Sequence, residues 1–224
     1  MNTQVKDLPV MDYPPLTEDL EEAKEHLDLY GMALIKNVLS TDEVNQMDQR
    51  LTEQFFGEEK HQVGSKVRGD EGLGVESSKE EKVSRLVWNL INKGDCFLKL
   101  IDHHKILPLI QHIIGERVCL CSMGAHMNGS GNERMALHQD QWPLVPHPMD
   151  FAFMANVMYL ISDNSQENGG TRLIPGSHKW PVLDYKTANS EEIQKMAVSL
   201  NAPKGTAIVW EGRVWHGNGL NRSG

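Results

Sequence analysis

The stretch LHQDQWPLVP, residues 137–146, holds the pattern on which the fold assignment depends. Within it, His138 and Asp140 stand two positions apart. On a β-strand, side chains at i and i+2 project from the same face, so both can bind one metal ion while Gln139 points the opposite way. We expect His216, in VWHGNG, to complete a two-histidine, one-carboxylate triad from a neighbouring strand. Such a triad leaves coordination positions open and is typical of non-haem Fe(II) oxygenases.

A second pair, His26 and Asp28, has the same spacing. It lies in EDLEEAKEHLDLYG, residues 18–31, where the acidic and apolar residues recur at helical spacing. In a helix, side chains at i and i+2 diverge by about 200°, so this pair cannot chelate a metal. The pair at 138–140 is favoured because a Gly-Asn turn precedes it and two prolines follow it, as expected around a short strand.

The composition favours a small-molecule enzyme. The chain has 224 residues and a formal net charge of −9, without a basic block, which argues against nucleic acid and anionic membranes as partners. The start MNTQVKDLPV lacks the features of a signal peptide, and no run of 18 apolar residues occurs, so we expect a cytoplasmic protein. The three cysteines fit a reducing compartment and are predicted to be buried thiols.

The predicted secondary structure changes from mainly helical to mainly strand near Arg117. Before it, helical spacing dominates, with a strand at GMALIKNVL and a polar, Gly-rich loop at 57–80 that we expect to shape the substrate mouth. Helices are predicted at about 17–30, 40–56, 80–91 and 96–115. After it come short strand-like segments: 117–127, 134–141, 151–161, 171–174, 196–200, 206–210 and 213–217.

These segments predict an α+β, mainly β protein with a jelly-roll, cupin-like core. We expect one domain over residues 1–224, with an N-terminal helical annex at about 1–116 and a β core at about 117–224.

Three blocks in order resemble the phytanoyl-CoA hydroxylase family of Fe(II)/2-oxoglutarate-dependent oxygenases: LHQDQWPLVP, ENGGTRLIPGSHKW and GTAIVWEGRVWHGNGLNRS. The resemblance implies a double-stranded β-helix in which His138, Asp140 and His216 bind Fe(II). It further implies that 2-oxoglutarate takes two more positions and dioxygen the last. The implied activity is hydroxylation of a small organic molecule coupled to decarboxylation of 2-oxoglutarate.

Two further residues are candidates for binding 2-oxoglutarate. Thr171 matches a family position whose hydroxyl can bond a carboxylate of the cosubstrate, although a threonine is also common in any strand. Asn156 interrupts the apolar run FAFMANVMYLIS, and a buried amide there needs partners, either in the metal pocket or in the core.

Other residues have competing interpretations. His178, in PGSHKW, is a rival third ligand, but in similar proteins this histidine belongs to the turn. His126 follows a predicted strand and can lie near the site or serve a structural role. Trp142 and Trp215 adjoin the triad and either wall the pocket or pack in the core.

The sequence also departs from the family pattern. Met135 stands where close relatives often carry a glutamine. The chain ends at Gly224, before the strand on which family members carry an arginine for 2-oxoglutarate, and Arg172, Arg213 and Arg222 do not align with it. We therefore expect a truncated chain with weak or absent turnover, whose exposed sheet edge favours pairing with a second copy. A cupin-like metal protein that does not use 2-oxoglutarate and a catalytically silent binding domain remain the alternatives.

Overall fold

A computed structural model of the chain describes residues 8–63, 65–67, 84–130, 134–141, 150–181 and 183–223. Within these ranges the α-helices are α1 Leu20–Tyr30, α2 Thr41–Lys60, α3 Asp95–Leu98, α4 Leu107–Ile114, α5 Tyr185–Ala188 and α6 Glu191–Met196. Short 3-10 helices occupy Leu90–Asn92 and Ser177–Lys179. Among the described residues, no helix combines the length and the apolarity needed to cross a membrane.

Local side-chain chemistry sets the ends of the first two helices. Asp19 caps α1 by accepting from the backbone N–H of Glu21 at 2.8 Å, so the helix begins after the predicted start at about 17. Ser40 caps α2, because Ser40 and Glu43 form a reciprocal capping box. Gly31 ends α1 at a φ of 73°, a left-handed conformation that glycine adopts without a Cβ penalty.

The described strands form three sheets. Their bounds are β1 Leu16–Thr17, β2 Met32–Ile35, β3 Ser65–Val67, β4 Ser84–Val87, β5 Ala125–Met127, β6 Ala155–Tyr159, β7 Thr171–Leu173, β8 Val198–Ser199, β9 Ala207–Glu211 and β10 His216–Asn218. The first sheet has the order β1-β2-β9-β6, the second β10-β7-β8 and the third β3-β4-β5. All pairings are antiparallel except β1 with β2.

The central strands β2 and β9 of the first sheet are buried on both faces. Ala33 and Ile35 of β2 pack against the helices, whereas Met32 and Leu34 pack toward the second sheet, where they meet Leu173 of β7. This alternation follows from the two-residue period of a strand. Each fully buried leucine or isoleucine stabilises the fold by about 1.5–3 kcal/mol relative to exposure. The first sheet therefore lies between a helical layer and the second sheet, and we call the space between these two sheets the cleft.

Several sequence predictions differ from the structure. The segment 80–91, predicted to be helical, contains strand β4 instead, because its Arg85 and Leu86 pair with Met127 and His126 of β5. The predicted strand at 117–127 is limited to β5. Cys119 and Cys121, which precede β5, are exposed rather than buried, and only Cys96 is buried.

The N-terminal part contributes more than helices. Strand β2 lies between β1 and β9 and pairs with β9 from Met32 to Ile35. The region about 1–116 therefore shares a sheet with the region about 117–224. Sequence periodicity predicts each helix or strand separately, and it does not show which strands pair when they are distant in the chain.

The segment 134–141 runs along the edge of the second sheet. His138 and His216 exchange both backbone hydrogen bonds at 3.0 Å. Further along, the Gln141 amide donates to the Gly212 carbonyl at 3.1 Å. This pairing places the predicted metal-binding segment directly beside β10.

Candidate metal centre

The structure brings the three predicted ligands together. One ligand atom from each of His138, Asp140 and His216 lies within 4.8 Å of the others. Asp140 Oδ1 is 3.8 Å from His138 Nε2, and Asp140 Oδ2 is 3.2 Å from His216 Nε2. His138 and Asp140 share a face of the extended segment, and the pairing of His138 with His216 brings in the third side chain. Within the described residues, no other cluster of metal-ligating side chains meets this geometry.

Backbone carbonyls fix the two imidazole rings. His138 Nδ1 lies 3.1 Å from the Ala136 carbonyl, and His216 Nδ1 lies 2.9 Å from the Val214 carbonyl. A carbonyl can only accept, so each neutral ring carries its proton on Nδ1 and has a lone pair on Nε2. In both rings it is Nε2 that faces Asp140. A histidine whose other nitrogen donates to a carbonyl is the usual arrangement around protein-bound metals.

The pKa shifts of His138 and Asp140 favour the protonation states that bind a cation. Burial of the His138 ring lowers its pKa, and the nearby His216 lowers it further, so the ring is neutral at neutral pH. Burial alone raises the pKa of Asp140, but the hydrogen bond and charge of His216, with smaller effects of His138 and Asn156, outweigh it and lower the pKa overall. The Asp140 carboxylate is therefore ionised at neutral pH beside a neutral His138.

Two side chains from the first sheet border the triad. Asn156 of β6 donates to Asp140 Oδ2 at 2.9 Å. Opposite it on β9, Trp210 places its indole 5.2 Å from the His216 ring, measured between centroids. Because Asn156 and Trp210 are paired across the two strands, they reach the centre from the same face of the sheet. Sequence reasoning missed Trp210, although its position opposite Asn156 follows from that pairing.

Another contact lies further along the cleft. Asn218 is two residues after His216 on β10 and therefore shares its face, and its Nδ2 lies 3.1 Å from His126 Nδ1. The His126 ring lies in a solvent-accessible part of the cleft, where partial desolvation by the surrounding protein lowers its pKa. The structure thus places His126 beside Asn218 of β10 and outside the cluster of ligand atoms. Asn218 was not singled out from the sequence.

Thr171 lies on β7 opposite Asn218, with its side chain buried. Its hydroxyl donates to Met158 Sδ at 3.3 Å. Thr171 and Asn156 thus both face the cleft between the sheets, but in this structure each already has a protein partner.

Other predicted residues lie away from the triad. His178 is buried in the 3-10 helix Ser177–Lys179 and does not join the ligand cluster. Trp215 is 2% exposed and packs with Leu137 and Ile174, because it projects from the opposite face of the chain to His216. Trp142 lies outside the described residues.

The second pair with this spacing, His26 and Asp28, is helical, as predicted. His26 and Asp28 both lie in α1, where His26 packs edge-on against Tyr30. Asp28 instead pairs with His112 of α4 at 2.8 Å. His103 and His104 stack on each other, with ring centroids 4.7 Å apart. These histidines serve packing and surface contacts rather than the metal centre.

Two of the arginines named in the sequence analysis, Arg172 and Arg213, bind other protein groups. Arg172 lies between Thr171 and Leu173 on β7 and so projects from the face opposite the cleft, where it reaches Gln194 of α6. Arg213 binds the Glu211 carboxylate at 2.7 and 2.9 Å.

A scan against protein-family models matches residues 27–224 to the family described as phytanoyl-CoA dioxygenase. The chain belongs to the phytanoyl-CoA dioxygenase family. The match includes all three ligand candidates, and it confirms the family resemblance drawn from the three sequence blocks.

Curated relatives are described as dioxygenases. The chain is 27% identical over 207 residues to dioxygenase af480 of Aspergillus fumigatus, which covers 92% of this chain and 63% of that protein. It is 25% identical over 221 residues to a probable alpha-ketoglutarate-dependent hypophosphite dioxygenase of Stutzerimonas stutzeri, covering 91% of this chain and 73% of that protein. The chain thus spans less than two thirds of the length of af480.

Solved structures share the fold. The epimerase SnoN, in complex with Fe3+, alpha ketoglutarate and nogalamycin RO, superposes with a TM-score of 0.66 at 17% identity, covering 91% of this chain and 78% of that one. The carbocyclase SnoK from nogalamycin biosynthesis, a non-heme alpha ketoglutarate-dependent enzyme, gives a TM-score of 0.65 at 18% identity, covering 99% and 81%. At this identity the likeness concerns the fold.

Proposed function

We propose that the protein is a non-haem Fe(II)- and 2-oxoglutarate-dependent oxygenase of the hydroxylase type. The observation that carries the proposal is the convergence of His138, Asp140 and His216 within 4.8 Å in a chain of the phytanoyl-CoA dioxygenase family. Two imidazoles and one carboxylate on one side of a metal match the ligand set of non-haem Fe(II) oxygenases.

The donor set fits iron in its spacing as well as its chemistry. Ligand bonds of about 2.1 Å at right angles place neighbouring donor atoms roughly 3 Å apart. Asp140 Oδ2 and His216 Nε2 are 3.2 Å apart, and His138 Nε2 is 3.8 Å from the carboxylate. Small side-chain rotations bring all three atoms to one ion. The side chains of His138 and Asp140 are 34% and 29% exposed, so the cleft admits further ligands on that side.

Bound Fe(II) would supply the redox chemistry that couples decarboxylation of 2-oxoglutarate to oxidation of a substrate C–H bond by dioxygen. The protein residues would hold and orient the reactants. Asn156 orients the Asp140 carboxylate through its hydrogen bond, and Trp210 covers one side of the His216 ring and excludes water there.

We propose Thr171 as a contact for 2-oxoglutarate. The support is its place on the cleft face and its weak present partner, because a thioether sulfur is a poor acceptor that a carboxylate oxygen readily replaces. For Asn156, also proposed from the sequence as a cosubstrate contact, the bond to Asp140 supports orientation of the ligand as its first role.

We further propose that the two facing sheets form a double-stranded β-helix and that residues 1–224 form one oxygenase domain, with the helices packed on the first sheet. The sheet shared by β2 and β9 and the likeness to SnoN and SnoK support this proposal. A small-molecule substrate is proposed on the same grounds as before, the net negative charge and the absence of a basic block. A cytoplasmic location is proposed because the three cysteines fit a reducing compartment.

Anaerobic titration tests the function. Purified chain is loaded with Fe(II), 2-oxoglutarate is added, and the visible charge-transfer band of the ternary complex is followed; succinate is then measured after admission of oxygen. We expect the band in the wild-type chain and in His178→Ala, and its loss in His216→Ala. Fe(II) binding without the band would favour a cupin-like metal protein that does not use 2-oxoglutarate, and absence of Fe(II) binding would favour a silent binding domain.

A further inference from the structure

The extended segment that carries His138 is hydrogen-bonded along both of its backbone edges, to strand β10 on one edge and to a side chain on the other. His138 directs its N–H and C=O toward His216 of β10. Its neighbour Leu137 therefore directs both groups to the other side, because successive residues of a strand alternate between edges. There the Leu137 amide donates to Asn189 Oδ1 at 2.8 Å, and Asn189 Nδ2 donates to the Leu137 carbonyl at 3.0 Å.

A single carboxamide thus takes the place of a neighbouring strand. The amide of Leu137 can only donate and its carbonyl can only accept, so the orientation of the Asn189 side chain is fixed by its partner. Leu137 itself is fully buried, and leaving its backbone groups unbound there would cost about 1–3 kcal/mol each. Asn189 lies just after α5, in a part of the fold remote from β10 in the sequence.

Asn189 is itself held from two sides. Its Nδ2 also donates to the Tyr185 carbonyl at 3.0 Å, and its Oδ1 accepts from Gln194 Nε2 at 2.8 Å. Gln194 Oε1 accepts in turn from Arg172, which also reaches the Met135 carbonyl at 3.4 Å. The chain of contacts therefore leaves the metal-binding segment at Leu137 and returns to it at Met135.

The charge at the centre of this network is buried. Arg172 is 5% exposed, and desolvation lowers its pKa to about 10, with a further contribution from the charge of Arg134. The acceptors that the described residues offer it are carbonyl groups of Gln194, Met135 and Asn218. A buried guanidinium needs such acceptors, so loss of any one loosens the rest.

We propose that Asn189 is a positioning residue for the metal centre. By binding both backbone groups of Leu137 it fixes the peptide that precedes His138, and hence the place from which the His138 ring reaches the metal. Ligand atoms must be held to within about 0.5 Å for a productive site, so release of this peptide weakens metal binding. The inference rests on the proposed metal site.

The test compares two variants of Asn189 with a control in the preceding helix α5. Asn189→Ala removes both contacts with Leu137, and Asn189→Ser is a milder change whose hydroxyl does not span both groups. Thr187→Ala is the control, because it removes the hydroxyl that donates to Asp184 Oδ2 at 2.6 Å at the start of α5 and leaves Leu137 untouched. Two quantities are measured in the 224-residue chain: hydrogen exchange at the Leu137 amide without metal, and the dissociation constant of Co(II) as a redox-stable probe.

We expect Asn189→Ala to speed exchange at Leu137 and to weaken Co(II) binding by roughly tenfold or more each. Asn189→Ser should give a smaller effect of the same kind, and Thr187→Ala should change neither quantity beyond its effect on overall stability. Unchanged Leu137 exchange, or an equal loss of Co(II) affinity in Asn189→Ala and Thr187→Ala, would overturn the positioning role alone. Failure of the wild-type chain to bind Co(II) would instead overturn the proposed metal site, and the positioning role with it.

Discussion

The contact between Asn156 and Asp140 offers a direct test of how the first sheet supports the metal centre. Replacement of Asn156 by leucine keeps a similar volume but removes the donor that lies 2.9 Å from Asp140 Oδ2. The remaining polar neighbour of that oxygen among the described residues is His216 Nε2, at 3.2 Å. In the metal-bound protein this nitrogen would be engaged by the ion. Asn156 would then be the main described group that orients the carboxylate.

The size of the effect follows from the charge on the acceptor. A hydrogen bond to an ionised group contributes about 1.5–3 kcal/mol, which corresponds to roughly 10- to 150-fold in an equilibrium constant. Because Asn156 also helps to lower the pKa of Asp140, its loss raises that pKa and makes metal binding more sensitive to acid. We therefore expect Asn156→Leu to weaken Co(II) binding by roughly 10- to 100-fold at neutral pH.

Isothermal titration with Co(II) at two pH values measures both effects. Met158→Leu is the matched control, since Met158 lies two residues further along β6 on the same face and supplies no donor to Asp140. A swap of similar volume should change stability by less than about 1.5 kcal/mol and leave Co(II) affinity close to wild type. If Asn156→Leu binds Co(II) as tightly as Met158→Leu does, the carboxylate does not depend on this hydrogen bond and the reasoning fails.

Three further predictions concern the triad, the strand beside it and pH. His216→Ala should abolish stoichiometric Co(II) binding while His178→Ala retains it, as measured by metal analysis after gel filtration; equal losses would contradict the ligand assignment. Gly217→Ala should lower the free energy of unfolding by about 1–3 kcal/mol in denaturant titrations, because its Cβ would lie 3.0 Å from the Met135 carbonyl oxygen, whereas Gly57→Ala, which meets nothing within 4 Å, should not destabilise. Burial lowers the pKa of His178, so below the unperturbed value of about 6.5 the unfolded chain binds more protons than the folded chain. The free energy of unfolding of the metal-free chain should therefore fall as the pH is lowered from about 7.5 to 5.5, and it should fall less steeply in His178→Gln. An identical slope in the two proteins would refute this prediction.

The candidate ligands were predictable because their relations are local or carried by a motif. The spacing of His138 and Asp140 needs only the two-residue period of a strand. The same rule, applied to a helix, excluded His26 and Asp28, and the structure confirms that both lie in α1. His216 was preferred to His178 on its motif context, and the convergence of the ligand atoms agrees with that choice.

Other features were not predictable because they depend on which strands meet. The segment 80–91 has helical spacing, yet Ser84–Val87 pairs with β5 and the ladder of hydrogen bonds overrides that local preference. Trp215 adjoins His216 in sequence but packs on the opposite face of the strand. Trp210 and His126 reach the cleft only through the pairing of β9 with β6 and the contact of His126 with Asn218.

The sequence by itself determined the three ligand candidates and the family. The spacing of His138 and Asp140 suits one metal ion on the face of a strand, and the family follows from the resemblance of three ordered blocks of sequence. Tertiary structure alone decided what supports those ligands. Asn156 binds the carboxylate and Asn189 binds the peptide before His138, although they stand 16 and 52 residues from their partners. Such partners are chosen by the packing of sheets and helices, because a single buried hydrogen bond leaves no periodic pattern in the sequence.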